Sequence, residues 1–291
     1  MTDDPYVVHR RLLFTVAYEM LGSAADAEDV LQESWVKWSR VDQAEVRDPR
    51  AYLVRVVTRA ALDRLRVLAH RREDYVGPWL PEPLLTAPDV AEDVELADSL
   101  STAMLLVLET LSPTERAVFL LREVFDLEYD ELAEAIGKSQ AAVRQIASRA
   151  RAHVAARRPH SAASQAECRR ALEAFLTALD TGDLQPLVDL LAPDVVALGD
   201  GGGIKQALPR PVSGIGKVAP LMRIGLRASR DLGITGEMVH VNGWPALLLR
   251  LDGEIDAVLS VRVDQGLVSG IYTVRNPEKL TRMLETATFA R

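Results

Sequence analysis

A proline-rich stretch after the first quarter of the chain most strongly constrains the fold. Residues 75–90, YVGPWLPEPLLTAPDV, contain four prolines and Gly77. Each proline fixes φ and removes a backbone donor, so a regular helix or central strand cannot run through this stretch. We predict an extended linker over 75–91. It carries four large apolar side chains, Trp79, Leu80, Leu84 and Leu85. A solvated connection would not need them, so we expect the linker to dock on a folded surface.

The linker separates two segments with helical periodicity. The 291 residues are too many for one ordinary core and indicate about two or three domains. Apolar residues recur at helical spacing on both sides of the linker, which predicts all-helical domains at 5–74 and 92–157. A second join, HSAASQ, follows Pro159.

The residues beyond that join, 164–291, have a different pattern. Helices are predicted first, at Cys168–Leu179, Leu184–Leu191 and Val218–Ser229. Four β-rich runs follow, at Glu237–Val241, Ala246–Leu251, Ile255–Val263 and Leu267–Val274. The runs are joined by Asn242-Gly243, Asp252-Gly253 and Gln265-Gly266, which are hairpin signals. We predict an antiparallel meander with helices on one face, an α+β domain that ends in a short helix near Pro277.

Charge is unevenly distributed. The chain has a net charge of −8, yet residues 47–72 hold eight arginines against two aspartates. A surface network of ion pairs cannot neutralise that excess, so phosphate contact is the better interpretation. The single cysteine, Cys168, excludes an internal disulfide, and five scattered histidines make a zinc site improbable. We predict no metal, no cofactor and no membrane partner, and, because no signal peptide or apolar span is present, a cytoplasmic protein.

Two further helices carry candidate contacts. Residues 26–38, DAEDVLQESWVKW, place acidic side chains on one face and apolar ones beside it, with Trp35 and Trp38 expected in the core. Near the other end of the helical part, Tyr129–Ile136, Gly137 and a helix from Ser139 to about Val154 form a helix-turn-helix pattern. The second of these helices leaves Arg144, Gln145, Ser148 and Arg149 outside its apolar arc.

Residues 1–157 resemble an extracytoplasmic-function sigma factor of the sigma-70 superfamily. Two segments resemble its region 2, DAEDVLQESWVKW and DPRAYLVRVVTRAALDRLR, and the segment starting LSPTERAVFLLREVFDLEYDELAEAIGKSQ resembles region 4. The resemblance implies a region 2 helical bundle and a region 4 helix-turn-helix. It also implies two partners, bacterial RNA polymerase core and promoter DNA, in a protein that is not an enzyme.

The resemblance also implies roles for individual residues. Contact with the polymerase core is implied for Asp26, Asp29, Gln32 and Glu33. Contact with the minus-ten element is implied for Arg47, Tyr52, Arg55, Thr58 and Arg59, although many relatives have asparagine at the position of Arg59. Contact with the minus-thirty-five element is implied for Lys138, Arg144, Gln145, Ser148, Arg149 and Arg151, of which Lys138 and Arg151, with Arg157, would touch phosphates.

The C-terminal part resembles the SnoaL-like cone that one subgroup of these factors carries fused, in place of a separate anti-sigma factor. The resemblance rests on WLPEPL, DGGG and NPEKL. It implies an interdomain regulatory site of fifteen residues: Trp79, Leu80, Pro81, Glu82, Pro83, Leu84, Asp200, Gly201, Gly202, Gly203, Asn276, Pro277, Glu278, Lys279 and Leu280. In the subgroup a lysine follows DGGG directly, whereas here Ile204 precedes Lys205.

Two alternatives remain at this point. Related cones include hydrolases and isomerases, and Asp200, His240, Asp256 and Tyr272 are the candidate catalytic residues, although their spacing defines no dyad. The chain could also be a helix-turn-helix regulator with a ligand-sensing cone, which would have no use for the acidic helix. We favour regulation of the sigma domains by the cone, with DGGG forming a tight turn with positive φ.

Overall fold

The computed structural model describes residues 4–87, 94–157, 164–287 and 289–290. The predicted end of the linker at 91, the start of the second helical domain at 92, the join after Pro159 and the last residue lie outside them. Among the described helices, none combines the length and the apolar character that crossing a bilayer requires.

The first three helices form a bundle. They are α1 (Pro5–Leu21), α2 (Ala24–Trp38) and α3 (Pro49–Glu73). Asp4 caps α1 and Ser23 caps α2, and between the two helices Gly22 adopts φ +66°. These polar caps and the left-handed glycine satisfy the helix ends and allow the chain to reverse direction. The buried faces meet around Leu13, Tyr18 and other large apolar side chains.

Five helices follow the linker. They are α4 (Val94–Leu100), α5 (Thr102–Glu109), α6 (Pro113–Glu123), α7 (Tyr129–Ile136) and α8 (Gln140–Ala155). Ser112 caps α6, and the predicted glycine turn at Gly137, φ +68°, is confirmed. The two helical segments share one hydrophobic core, in which α1 and α3 pack against α6 and α7. The sequence did not predict this shared core, because it reads as two separate helical segments.

The C-terminal part is an α+β domain. It contains helices α9 (Gln165–Thr181), α10 (Gln185–Val188), α11 (Ile215–Asp231) and α12 (Pro277–Leu280). Its strands are β1 (Leu191–Asp200), β2 (Val212–Ser213), β3 (Thr235–Val241), β4 (Trp244–Leu251), β5 (Glu254–Asp264) and β6 (Leu267–Val274). The three predicted hairpins are confirmed, and Asn242, Asp252 and Gln265 have positive φ.

The sheet is larger than predicted and is mixed. Its order is β2-β1-β6-β5-β4-β3, and β1 runs parallel to β6. The prediction of a helix over Leu184–Leu191 is wrong beyond Val188, because Leu191 already begins β1. Pro193 and Asp194 hid this strand, since neither residue is typical of strands. A register shift between Leu191 and Val196 accommodates them.

The two faces of the sheet have different partners. Helices α9 and α11 cover one face, around Leu172, Phe175 and Leu247. The other face packs against the linker, α5 and the segment after β6, with Leu80 at the centre. The predicted docking of the linker is confirmed: Leu80 is fully buried, and backbone bonds of 2.9 Å join the linker to Gly22 on one side and to His240 and Asn242 on the other.

Candidate functional site

The acidic face of α2 lies on the surface of the first bundle. Gln32 and Glu33 are exposed, whereas Asp26 and Asp29 both pair with Arg64 of α3, at 2.5 and 3.1 Å. The Arg64 guanidinium is shared between the two carboxylates, so it fixes the orientation of this face relative to α3. The four residues lie together and remain accessible, except that Asp26 is half-buried.

Trp38 is fully buried, as predicted, but the prediction of a core position for Trp35 is wrong, because 40% of that residue is exposed. One side of the Trp35 ring meets Tyr6, with ring centroids 5.0 Å apart. Exposed Val7 and Val36 line the same surface depression as Trp35. An apolar surface therefore borders the acidic face, and the sequence-based assignment of both tryptophans to one apolar arc missed it.

The residues predicted for the minus-ten element do not all lie on one surface. Arg47 is exposed, and Arg55 stacks over the ring of Tyr52, 5.3 Å from its centroid. Thr58, in contrast, is completely buried, and its hydroxyl has no partner among the described residues. It lies on the inner face of α3, so its prediction as a surface contact is corrected.

The first helix of the helix-turn-helix contacts Arg55, which is half-buried, and Arg59, which remains exposed. Arg55 forms an ion pair with Glu134 of α7. Arg59 donates to the carbonyls of Glu134 and Ala135, at 2.5 and 3.1 Å. These carbonyls belong to the last turn of α7, where unpaired acceptors and the helix dipole favour a cation. Arg59 thus caps a helix of the second helical segment, and Arg55 pairs with a side chain of the same helix.

The recognition face of α8 is open. All six residues predicted for the minus-thirty-five element are exposed: Lys138, Arg144, Gln145, Ser148, Arg149 and Arg151. Arg144 lies over the ring of Tyr129, 5.3 Å from its centroid, and Arg151 is 3.6 Å from Glu123. These contacts hold the two side chains in place without burying them. Arg157, which was also predicted to touch phosphate, is exposed just beyond the end of this helix.

Three sequence motifs meet at a buried carboxylate. Asp200, at the end of β1, is fully buried. Its Oδ1 accepts from the hydroxyl of Tyr75 at 2.7 Å and from the amide of Gly202 at 3.1 Å. Its Oδ2 accepts from the amide of Leu80 at 2.9 Å and from Lys279 at 2.7 Å. The linker, the glycine turn and the segment after β6 are therefore joined through one side chain.

Lys279 completes this junction from α12. Its ammonium also donates to the carbonyl of Leu80 at 2.5 Å and lies 4.1 Å from the ring centroid of Trp79. A cation that faces an aromatic ring and a carboxylate at once is well compensated for its burial. Asn276 caps α12 and donates to the Tyr75 hydroxyl at 2.8 Å. Burial and the bond to Asp200 raise the pKa of Tyr75.

The glycines of DGGG are required by this packing. Gly202 and Gly203 have φ of +62° and +75°, which confirms the predicted turn. A Cβ at Gly202 would lie 2.3 Å from Nδ2 of Asn276. Ile204 is exposed, and Lys205 pairs with Asp256 at 2.8 Å instead of entering the junction.

Glu82 ties the linker to the polymerase-binding helix predicted from the sequence. Its Oε2 accepts from the amide of Ala24, in the first turn of α2, at 2.7 Å. The Tyr18 hydroxyl donates to the Glu82 carbonyl at 2.6 Å. Burial raises the pKa of Glu82, and the amide of Ala24 partly opposes this shift. Pro81 and Pro83 are buried on either side, and Leu84 and Leu280 are buried in the adjoining cores.

Three contacts escaped the sequence-based prediction. Asn242, predicted only as a turn residue, accepts from the amide of Leu84 at 3.0 Å, and its Oδ1 lies 3.1 Å from the Tyr18 hydroxyl. Phe289 packs against Phe14 and Tyr18 of α1, with centroids 5.9 and 5.7 Å apart. Asn242 and Phe289 occur outside recognisable patterns, and nothing local signals their long-range partners.

The third contact is the buried pair Glu19 and Arg116. Arg116 of α6 donates twice to the carbonyl of Glu19 in α1, at 2.7 and 3.0 Å, and forms an ion pair with Glu109. Burial lowers the pKa of Arg116 to about 9, and the coulombic attraction of Glu19 opposes that shift. The charged pattern of α6 gave no signal that one arginine would be internal.

The four catalytic candidates do not form a site. Asp200 is occupied by the junction, and Asp256 is held between Lys205 and Arg275, at 2.8 and 2.9 Å. Burial alone would raise the pKa of Asp256, but hydrogen bonds from both cations outweigh it and lower the pKa. His240 is half-buried and Tyr272 is buried. No acid–base pair results among these four.

Comparison with known proteins assigns the helical part. Residues 6–71 match the family model "Sigma-70 region 2", and residues 101–154 match "Sigma-70, region 4". The chain is 38% identical over 290 residues to the ECF RNA polymerase sigma factor SigJ of Mycobacterium tuberculosis, covering 94% of this chain and 91% of SigJ. It is 30% identical over 275 residues to the probable ECF RNA polymerase sigma factor SigI of the same species, covering 94% and 92%.

The fold agrees with that assignment. The crystal structure of SigJ of M. tuberculosis matches with a TM-score of 0.76 and 34% identity, covering 95% of this chain and 97% of SigJ. The match spans the helical part and the α+β domain together. These relatives support a transcription initiation factor and give no support to a ligand-sensing regulator or an enzyme.

Proposed function

The chain belongs to the extracytoplasmic-function sigma factors of the sigma-70 family, and on that premise we propose how its parts share promoter recognition and its control. A sigma factor binds RNA polymerase core and directs it to promoter DNA. We propose which residues make these contacts and how the α+β domain controls them.

Polymerase core binds the outer face of α2. Asp29, Gln32 and Glu33 supply exposed polar groups that steer a basic partner, with Asp26 behind them. The exposed ring of Trp35, with Val7 and Val36, supplies adjoining apolar area. Interfaces commonly combine an aromatic anchor with a charged rim, which supports including Trp35 in this contact.

We infer that this arrangement is closed at minus-ten and open at minus-thirty-five. The observation that carries this proposal is the position of Arg59, whose guanidinium donates to the last turn of α7. Those donors cannot bind DNA at the same time. The α8 residues are exposed, so region 4 can reach its element, whereas Arg55 and Arg59 of α3 are engaged with α7. Promoter opening then requires α7 to leave α3.

The α+β domain holds this closed form. Through Asp200 and Lys279 it fixes the linker, and through Glu82 the linker is fixed to α2. Trp244 of β4 also donates to the carbonyl of Ala97 in α4 at 2.8 Å, so the α+β domain contacts both sigma domains and opposes their separation. Such an internal restraint makes a separate anti-sigma factor unnecessary. Since polymerase and promoter occur in the cytoplasm, the protein acts there.

Run-off transcription with purified bacterial core polymerase tests the proposal. The template is a promoter selected from genomic fragments, and three forms are compared: residues 1–291, a form cut before Gln165 and a form cut after Asn276. We expect initiation that depends on this chain and differs between the forms. Identical output from all three would exclude control by the α+β domain, and no initiation by any form would contradict the proposed use of the promoter elements.

The junction itself is tested by substituting Asp200→Asn. Removing one member of a buried ion pair costs about 3–5 kcal/mol, so we expect a large loss of stability. Asp194→Asn, at an exposed position of the same strand, is the control. In a double-mutant cycle, Lys279→Met should add much less in the Asp200→Asn background than alone. Additive free energies of unfolding would show that the two residues do not act as a unit.

A further inference from the structure

The outer face of α11 carries a concentration of positive charge. Residues 201–236 contain six lysines or arginines and one acid, Asp231, in a chain with net charge −8. Four of these cations are in α11, and all four are exposed: Lys217, Arg223, Arg227 and Arg230. At about 100° per residue, the three arginines lie within an arc of roughly 60°. They form one ridge along the helix.

These cations are not explained by structural pairing. The ion pairs formed within the described parts of the chain do not involve Lys217, Arg223 or Arg227. Arg230 differs, because its guanidinium lies over Gly182 at the end of α9, where a Cβ would be 2.0 Å from Nη1. Arg230 therefore helps to hold α11 on the domain, and the other three are available to a partner.

The position of α11 leaves the ridge accessible in the closed form. The helix packs against β1, β2 and α9. The linker meets the sheet at β3, on its far edge, and α5 meets it at β5. Since α11 covers the sheet face opposite to that of Leu80, the sigma domains do not obstruct it.

We propose that the ridge of α11 is a third DNA contact, which binds the phosphate backbone of duplex promoter DNA without reading its sequence. The inference rests on the sigma-factor function and adds a surface that neither sigma domain supplies. From Lys217 to Arg227 the available cations extend over about 15 Å of helix at its rise of 1.5 Å per residue. That length corresponds to about four base-pair steps of 3.4 Å, enough to follow one stretch of backbone.

Two other classes of partner fit the ridge less well. A helix that binds a membrane surface inserts its apolar face, but here that face, with Val218, Met222 and Leu226, is packed against the domain. A protein interface would be expected to have an aromatic or apolar centre. Among the residues of the ridge and their neighbours, Ile224 is the one large exposed apolar side chain within the helix.

The test measures how salt affects binding of the assembled holoenzyme to a promoter duplex, by fluorescence polarisation. The variant is Arg223→Gln/Arg227→Gln, and the control is Arg169→Gln/Arg170→Gln, two exposed arginines on α9 of the same domain. Each lost phosphate contact makes the plot of log binding constant against log salt concentration less steep, by about 0.9 in slope. We expect the steepness of this slope to fall by roughly 2 for the variant and to stay unchanged for the control. The fall should be the same on duplexes of unrelated sequence.

A slope equal to that of wild type would overturn the proposal. Binding of wild type but not of the variant to phosphatidylserine vesicles, with the DNA slope unchanged, would identify the ridge as a membrane contact instead. Run-off initiation at low salt separates this result from the sigma-factor function. If wild type initiates but the salt slope of the variant is unchanged, the DNA contact of the ridge is rejected and the sigma-factor function stands. If wild type does not initiate, the sigma-factor function itself is rejected.

Discussion

Glu19 shows how one side chain can couple the closed form to pH. It lies in α1, fully buried, and Oε1 is 2.6 Å from the hydroxyl of Ser99, which is also 2.9 Å from the carbonyl of Leu96. One hydroxyl has a single proton to donate. Both bonds form if Glu19 is protonated and donates to Ser99. Burial raises the pKa of Glu19 to about 8, opposed by Ser99 and Arg116.

The sign of the pH effect follows from this shift. A carboxyl with a pKa raised from 4.5 to about 8 favours the folded form fully below pH 4.5 and loses that contribution as pH rises towards 8. We expect Glu19→Gln, whose amide can donate to Ser99, to stabilise the protein at pH 8 relative to wild type. The difference in the free energy of unfolding between Glu19→Gln and wild type should fall by up to about 1.4 kcal/mol for each pH unit of acidification.

Urea unfolding of wild type and Glu19→Gln at pH 6, 7 and 8 measures the effect, with exposed Glu33→Gln as the control. If the free energies of unfolding of the two proteins differed by the same amount at all three pH values, Glu19 would be ionised in the folded protein. Tyr18, Glu82 and Glu109 remain in both proteins, so their contributions cancel to first order, whereas Arg116 loses in the variant the attraction of Glu19 that opposes the lowering of its pKa.

At the scale of elements, the segment after α12 acts as a strap. It leaves the α+β domain, pairs its Ala287 amide with the Leu85 carbonyl at 2.7 Å, and places Phe289 in the core of the first bundle. The Ala290 amide then donates to Thr15 at 3.0 Å. The strap thus crosses from one domain to another, and Phe289 anchors it in the first bundle.

Phe289→Ala should release the strap and leave the rest of the protein folded. Truncating a buried phenylalanine costs about 3–5 kcal/mol in a core, which exceeds what a few backbone bonds at a chain end contribute. We expect faster amide exchange at Ala287 and Ala290. Leu284→Ala, in the same segment but 76% exposed, should leave exchange unchanged. Equal exchange in both variants would show that the anchor is elsewhere.

At the scale of the whole molecule, one continuous core joins the two sigma domains. Their separation on polymerase binding would expose part of this core, so the open form needs polymerase or DNA to cover it. The closed form is therefore the state expected of the free protein, and core polymerase shifts the population by binding the open form more tightly.

Energy transfer between fluorophores tests this shift. Cysteines at exposed Val67 of α3 and Ala155 of α8 can be labelled selectively, because native Cys168 is buried and burial raises its pKa to about 12. We expect the transfer efficiency to fall when core polymerase is added. A pair at Val8 and Val67, both within the first bundle, should not change. An unchanged signal for the first pair would mean that the domains stay together during polymerase binding.

Local features of the fold were readable in the sequence. The caps at Ser112 and Ser139, the glycine turn at Gly137 and the three hairpins depend on neighbouring residues, so short patterns predict them. The same holds for the exposed face of α8. The strand β1 was missed because its pairing with β6 overrides the local preferences of Pro193 and Asp194.

The amino-acid sequence by itself determined which segments are helical, where strands reverse and which charged residues share one helix face, since periodicity, capping and charge act over a few residues. Only the tertiary structure decided that Arg59 caps α7, that Glu19 is enclosed beside Arg116 and that Phe289 reaches α1. These contacts join residues 75 to 275 positions apart. Their energies depend on desolvation and on packing between domains, which no local pattern encodes.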